Sequence, residues 1–117
     1  MKTRTDLLDI CFSLGISADE ESFYRFAHEY ILGIIQRGSD KSEFFNIINY
    51  CCDNSENPDV LKNVGISGNA QNGASIRLAN WCKNILGNSE IAQLDISELN
   101  ILMGYCSIQA KIKENGL

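Results

Sequence analysis

The sequence of 117 residues contains one proline and one histidine, and it lacks any run of 18 or more consecutive apolar residues. That absence excludes an ordinary membrane-spanning helix. The first residues also lack the uninterrupted apolar stretch of a signal peptide, because Asp6 and Asp9 fall within them. We therefore expect a cytoplasmic protein that has no membrane partner.

Signatures of catalysis and of metal or cofactor binding are missing as well. The single histidine, His28, would have to serve any mechanism that pairs a serine or cysteine with an imidazole. The sequence has no EF-hand loop and no Glu-x-x-His pair. The glycines of residues 65–73 follow no strand pattern and lack the Lys-Ser or Lys-Thr ending of a phosphate-binding loop. We expect no metal, no cofactor and no enzymatic activity.

Disulfide and zinc patterns are absent too, although the chain has five cysteines. The number is odd, no Cys-x-x-Cys pair occurs, and the cysteines lie among apolar residues, so we predict reduced thiols in the core. An enzymatic alternative stays open, in which His28 works with Cys51 or Cys82. The five positions are Cys11, Cys51, Cys52, Cys82 and Cys106.

Basic residues are scarce, since 10 Lys and Arg stand against 15 Asp and Glu and give a formal net charge of -5. Binding of nucleic acid without sequence preference needs surplus Lys and Arg to replace counterions, so we expect no nucleic-acid partner. A helical DNA-binding regulator is also disfavoured, because the acid-free residues 64–83 offer only Arg77 and Lys83. Hydrophobic residues make up 44% of the chain, which excludes disorder and allows one domain over residues 1–117.

Apolar residues recur at helical spacing along almost the whole chain, and no segment has a clear strand pattern. We predict an all-α fold, a compact bundle of five or six mostly antiparallel helices. The most apolar helix follows a capping box at residues 17–20 and has two apolar stripes, so we predict that it is central and buried on two faces. The stripes consist of Phe23, Phe26, Ala27, Tyr30, Ile31 and Ile34, and of Tyr24, His28, Leu32 and Ile35.

Turn and capping residues mark the remaining helix boundaries. Pro58 suits the first position of a short helix, because its ring presets the backbone and its missing N–H has no partner there. Residues 65–75 are predicted to be a long loop or the frayed start of a helix, and residues 88–94 a linker or single turn. Helix ends are predicted at Gly15, Gly38, Gly65 and Gly87, and helix starts at Asp40, Asn57 and Asp95. The last helix is predicted to bury one face, formed by Leu99, Leu102, Met103, Cys106, Gln109, Ala110 and Lys113.

The net negative charge is concentrated in two stretches that contain acids but no Lys or Arg, residues 42–61 and residues 84–110. One interpretation is that these acids only cap helices and solvate loops. The other is that they form a negative surface for a basic protein, because opposite potentials speed association. The candidate partner-binding residues are Glu43, Asp53, Glu56 and Asp59 in the first stretch and Glu90, Asp95 and Glu98 in the second.

Four aromatic residues are candidates for interface anchors, because aromatic side chains carry much of the binding energy at protein interfaces. The alternative is that these residues belong to the core. The four are Tyr24, Tyr50, Trp81 and Tyr105.

The size, the negative charge and the two acidic stretches resemble those of bacterial immunity proteins that neutralise nuclease toxins, including the toxins of contact-dependent growth inhibition. The resemblance implies an inhibitor that binds the C-terminal domain of a toxin in the cytoplasm of the producing cell. It also implies that carboxylates pair with the Lys and Arg residues that a nuclease uses for phosphate. A phage-type or regulatory inhibitor of another nucleic-acid enzyme is an alternative with the same acidic surface.

Overall fold

Helices account for the regular structure of the chain, as the spacing of apolar residues predicts. The computed structural model describes residues 2–66 and 73–116, and within those ranges it contains seven α-helices and no strand. The predicted all-α fold is confirmed, and the predicted turn at residues 88–94 contains a four-residue helix. The helices are α1 (Arg4–Ser13), α2 (Glu21–Arg37), α3 (Ser42–Asp53), α4 (Pro58–Asn63), α5 (Ala74–Leu86), α6 (Ser89–Ala92) and α7 (Ile96–Glu114).

Helix α7 lies between α1 and α2. The order of contacts along α2 and α7 is reversed, since Tyr24 lies near Cys106 while His28 contacts Asn100, so these two helices are antiparallel. Helix α1 runs parallel to α7 instead. The Lys2 N–H donates to the Glu98 carboxylate near the start of both helices, and the Lys113 ammonium donates to the Ile16 carbonyl near their ends.

The core is continuous from α1 to α7, and its largest side chain belongs to Trp81 of α5. The Trp81 ring centroid lies 5.5 Å from that of Phe23 and 5.5 Å from that of Tyr24. Tyr24 and Trp81 are therefore core residues, whereas Tyr50 is 53% exposed. All five cysteines are free thiols. The prediction of core cysteines is confirmed for the four that are buried, whereas Cys52 is only half-buried.

Local capping signals predict most helix boundaries correctly. The Asn57 side chain accepts the Asp59 N–H at 2.9 Å, and Pro58 occupies the first position of α4. Gly15 and Gly38 have the left-handed conformation expected at helix ends, with φ values of 62° and 68°. The capping box at residues 17–20 opens a short 3-10 turn, Ala18–Glu20, which leads directly into α2. Most of the predicted loop at 65–75 lies outside the described residues.

The prediction that α2 is buried on two faces is wrong for its C-terminal half. Tyr24 is buried and His28 half-buried, but Leu32 and Ile35 are each 39% exposed. The reason is the position at which the neighbouring helix, α7, begins. Because α7 begins at Ile96 and His28 already lies beside Asn100, the last turns of the antiparallel α2 extend past the start of α7.

Helix α7 has apolar residues on its outer face as well as on its buried face. The predicted inner face is buried at its apolar positions, whereas Lys113 is exposed and donates to the Ile16 carbonyl. On the opposite side Ile101 and Tyr105 are half-buried, and Ile108 is 60% exposed. Among residues 2–66 and 73–116, no helix is both long enough and apolar enough to cross a membrane.

Candidate functional site

Three exposed acids lie where α3 is followed by α4: Asp53 ends α3, Glu56 lies in the connecting loop, and Asp59 lies in the first turn of α4. We call residues 53–59 the acidic loop. Its backbone is held locally, since the Asn54 amide donates to the Tyr50 carbonyl at 2.9 Å and Asn57 caps α4. The three carboxylates form no hydrogen bond or ion pair with any residue that the structure describes. Their charges are therefore available to a partner.

A largely apolar cleft of about 330 Å³ lies among α2, α3 and α4, and we call it the aromatic cleft. Tyr50 stands at its rim, since it lines the cleft and is 53% exposed. Tyr30 and Phe26 contribute from α2, one turn apart, and both are half-buried. The lining residues are Phe26, Tyr30, Ile47, Tyr50, Cys51, Val60 and Asn63.

Two acids of the acidic loop, Asp53 and Asp59, belong to helices that line the aromatic cleft, although neither is itself a lining residue. On α3, Asp53 follows Tyr50 by three residues, a spacing that places two side chains on the same face of a helix. On α4, Asp59 directly precedes the lining residue Val60 and lies four residues before Asn63. The fold thus combines unpaired negative charge with an aromatic surface.

Glu43, the first candidate in the same acidic stretch, lies at the opposite end of α3 from the acidic loop. Its carboxylate accepts a hydrogen bond from the Arg37 guanidinium at 2.7 Å, and the two groups form an ion pair. Although residues 42–61 contain no base, the end of α2 supplies one. The structure therefore separates Glu43 from the other three candidates.

The second acidic stretch is engaged mainly within the molecule. Asp95 caps α7 by accepting the Glu98 N–H at 2.8 Å, and Glu98 accepts the Asp95 N–H at 3.0 Å. Glu98 is only 8% exposed and also accepts the Lys2 N–H at 2.6 Å. These backbone hydrogen bonds from Asp95 and Lys2 hold the pKa of Glu98 below its ordinary value.

Basic groups from distant parts of the sequence reach this second stretch. The Lys41 ammonium donates to the carbonyls of Ala92 and Leu94, at 3.1 and 2.9 Å. Glu90 is exposed and shares a cleft of about 280 Å³ with Lys2 and two acids of α1. A stretch without bases in the sequence is therefore not free of bases in space, and the acidic loop remains the better candidate.

His28 lines a different groove, of about 320 Å³, over the outer face of α7. Its Nδ1 lies 3.0 Å from the Asn100 carbonyl, to which it donates. Gly104 leaves room for the imidazole, because a Cβ at that position would lie 3.2 Å from the ring Cε1 atom. The side chain is held by packing and one hydrogen bond.

The two cysteines predicted as alternatives for pairing with His28 lie elsewhere. Cys51 lines the aromatic cleft, and Cys82 is fully buried in α5. Burial raises the pKa of the Cys51 thiol to about 11 and raises that of Cys82 as well. Raised pKa values favour the protonated thiol, which is the poorer nucleophile and metal ligand. In the described part of the chain, no group of three His, Cys, Asp or Glu side chains is placed to hold a metal ion.

Comparisons with models of protein families, with curated proteins and with solved structures find no match to this chain. Inference about function therefore rests on the acidic loop, the aromatic cleft and their surroundings. Of the four aromatic candidates, only Tyr50 lines this cleft. The sequence did not predict that Phe26 and Tyr30 line the cleft together with Tyr50. Helical spacing assigns both residues to an apolar face of α2, but it does not indicate which other helix lies next to them.

Proposed function

We propose that this protein is an inhibitor that binds a basic protein and blocks its working surface. The observation that carries the proposal is the set of exposed carboxylates at Asp53, Glu56 and Asp59, which have no partner among the described residues and lie between the parts of α3 and α4 that line an apolar cleft. Unpaired acids of one sign attract a basic surface at long range. An adjacent cleft with an exposed tyrosine supplies the short-range contact area that charge alone lacks.

The basic partner that fits best is a nuclease toxin domain. A nuclease needs Lys and Arg residues on its surface to hold phosphate groups, and the acidic loop is complementary to such residues. A bound inhibitor would then exclude the substrate by charge and by bulk. In this proposal the protein is an immunity protein, acts in the cytoplasm of the cell that makes the toxin, and has no catalytic activity of its own.

The test compares the wild type with a triple variant, Asp53→Asn, Glu56→Gln and Asp59→Asn, as bait for affinity capture from the native host. A matched control, Asp9→Asn, Asp19→Asn and Glu114→Gln, removes the same charge at exposed positions outside the acidic loop. We expect the wild type and the control to capture a basic protein in equimolar amount. The captured protein should degrade DNA or RNA, and adding the wild type should stop that activity.

The association rate with the captured protein then tests the electrostatic part of the proposal. We expect the rate to fall steeply as salt rises, and the triple variant to associate about 10-fold more slowly at low salt, because steering by opposite charge is lost. Equal rates and equal salt dependence for the wild type and the triple variant would contradict the proposal. A captured protein whose activity is unaffected by the wild type would contradict the inhibitory role.

A further inference from the structure

We propose that the aromatic cleft is a socket for one arginine side chain of the partner, and that this socket selects among basic proteins. The inference rests on the proposed function, because it takes a basic protein as the partner. It assigns different roles to two parts of the contact surface. The acidic loop attracts any basic surface, whereas the aromatic cleft accepts only a side chain of the right shape and chemistry.

The size of the aromatic cleft suits one side chain. Its volume of about 330 Å³ lies near the lower end of the range of roughly 300–1,000 Å³ for pockets that hold small molecules. Helices α2, α3 and α4 form its walls, and Tyr50 at the rim leaves it open to solvent. A single long side chain from a neighbouring protein can enter it without any rearrangement of the helices.

The walls match the two parts of an arginine side chain. Ile47 and Val60 provide aliphatic surface for the methylene stem, which packs well against apolar groups. Tyr30 and Tyr50 also line the cleft, and a tyrosine ring has a flat face on which a guanidinium can stack. A lysine ammonium is more strongly hydrated and has no flat face, so it gains less from the same tyrosines.

The charge near the aromatic cleft completes the match. Asp53 follows the lining residue Tyr50 by three positions on α3, Asp59 directly precedes the lining residue Val60 on α4, and neither carboxylate has a partner among residues 2–66 and 73–116. A guanidinium offers five N–H donors in a planar fork, which suits two carboxylates approaching from different directions. An apolar side chain in the same place would leave both carboxylates unpaired at the edge of the contact, which is unfavourable.

The experiment uses hexa-arginine and hexa-lysine peptides, which carry equal charge, as probes of the full-length protein at physiological salt. Binding is followed by the NMR shifts of backbone amides. We expect the arginine peptide to bind about five-fold more tightly, a ratio within the range that cation–π contacts allow. Its largest shifts should occur at Tyr30, Tyr50 and Val60.

Variants at the rim separate the ring of Tyr50 from its hydroxyl. Tyr50→Ala should remove the preference for arginine, and Tyr50→Phe should keep it, because the flat face is retained. Tyr50 is 53% exposed, so truncation leaves the core intact, and a circular dichroism spectrum checks this. Ile76→Ala, at a side chain of α5 that is 66% exposed, serves as the control and should change nothing.

Equal affinity for the two peptides, or shifts confined to residues 53–59, would overturn the socket. In that case, loss of binding by the triple variant would leave the proposed function standing, because the acidic loop would still attract cations. Conversely, the socket would stand without the proposed function if the arginine peptide fills the aromatic cleft and the captured protein is not inhibited. Peptide binding therefore tests the socket, and inhibition of the captured protein tests the proposed function.

Discussion

At the scale of single residues, the surroundings of each acid decide whether its charge serves the fold or remains available. Glu98 is 8% exposed and accepts backbone N–H groups from Asp95 and Lys2, so its charge is used inside the molecule. Asp53 is exposed and has no partner in the described ranges. The sequence shows both as acids in base-free stretches, and only their burial and hydrogen bonds distinguish them.

The role of Glu98 in stability is predicted to depend on pH. Because its pKa in the folded protein is held below the ordinary value of 4.5, the ionised carboxylate stabilises the fold above that value. That stabilisation is lost as the pH falls through the folded-state pKa. We expect Glu98→Gln to lose less free energy of unfolding than the wild type between about pH 6 and pH 3, measured by urea denaturation.

The control for this prediction is Glu114→Gln, which changes an exposed acid at the end of α7. It should lose stability with falling pH to the same extent as the wild type. If Glu98→Gln also follows the wild type, the hydrogen bonds from Asp95 and Lys2 do not favour the ionised form.

Among the glycines that the structure describes, Gly65 is the one at which an added methyl group is predicted to be most costly. Its φ of +92° is unfavourable for any L side chain, and a Cβ there would lie 2.8 Å from the Cβ of Ser22. Gly38 has a φ of +68° and no atom within 4 Å of such a Cβ. We expect Gly38→Ala to lower the free energy of unfolding by about 1 kcal/mol and Gly65→Ala by about 2 kcal/mol or more.

Chemical denaturation of the two variants measures this difference. Adding Ser22→Gly to Gly65→Ala removes the contact with Cβ and leaves the backbone strain, so part of the lost stability should return, less the cost of a glycine in α2. Equal losses for Gly38→Ala and Gly65→Ala would show that the contact with Ser22 relaxes freely.

At the scale of the helices, the N-cap of α7 is predicted to matter more for stability than for binding. Asp95 accepts the Glu98 N–H at 2.8 Å, and its loss leaves a donor in the first turn of the longest helix unsatisfied. We expect Asp95→Ala to lower the free energy of unfolding by about 1 kcal/mol. Asp95→Asn keeps a capping oxygen and should cost much less.

The association rate of the same variants tests whether Asp95, a candidate of the second acidic stretch, also contacts the partner. If Asp95 acts only as a cap, Asp95→Asn should associate with the captured basic protein as fast as the wild type. Unchanged stability of Asp95→Ala would argue against the role of Asp95 as a cap. Slower association of Asp95→Asn would indicate that Asp95 is part of the contact surface.

Helix boundaries were largely predictable from the sequence because they depend on neighbours along the chain. Asn57 before Pro58 specifies the start of α4, and Asp95 with Glu98 specifies the start of α7, through hydrogen bonds within four residues. The exposure of Ile35 was not predictable in this way. It depends on where α7 begins relative to α2, which is a property of their packing.

At the scale of the whole molecule, the packing of the first helix along the last predicts cooperative unfolding. Contacts from Lys2 to Glu98 and from Lys113 to Ile16 hold α1 on α7 at both ends, and the core extends through all the major helices. Trp81 is the only tryptophan and is 1% exposed, so its fluorescence reports the centre of the core. We expect fluorescence and circular dichroism to give one common midpoint in urea.

Two separate midpoints would contradict this prediction and would show that part of the helical structure unfolds independently of the core around Trp81. A dependence of the midpoint on protein concentration would show instead that unfolding is coupled to dissociation of an oligomer.

The candidate site was predictable only in part, and the reason lies in the distance over which its residues interact. The sequence places Asp53, Glu56 and Asp59 close together because they lie within seven consecutive residues. It does not show that Tyr30 of α2 and Tyr50 of α3 line the same cleft, since that depends on how two helices pack. For the same reason the sequence does not reveal that Arg37 neutralises Glu43 or that Lys41 reaches the carbonyls beside Asp95.

The aromatic cleft and the acidic loop come from one uninterrupted part of the chain, residues 26–63. Within α2 the two tasks are interleaved, since Phe26 and Tyr30 line the aromatic cleft while Ala27 and Ile31 are fully buried in the core. In the proposed function, substitutions at the first pair would therefore alter recognition while the second pair keeps the fold. Exchange of the whole segment would not have this effect, because it would also replace core residues such as Ala27 and Ile31.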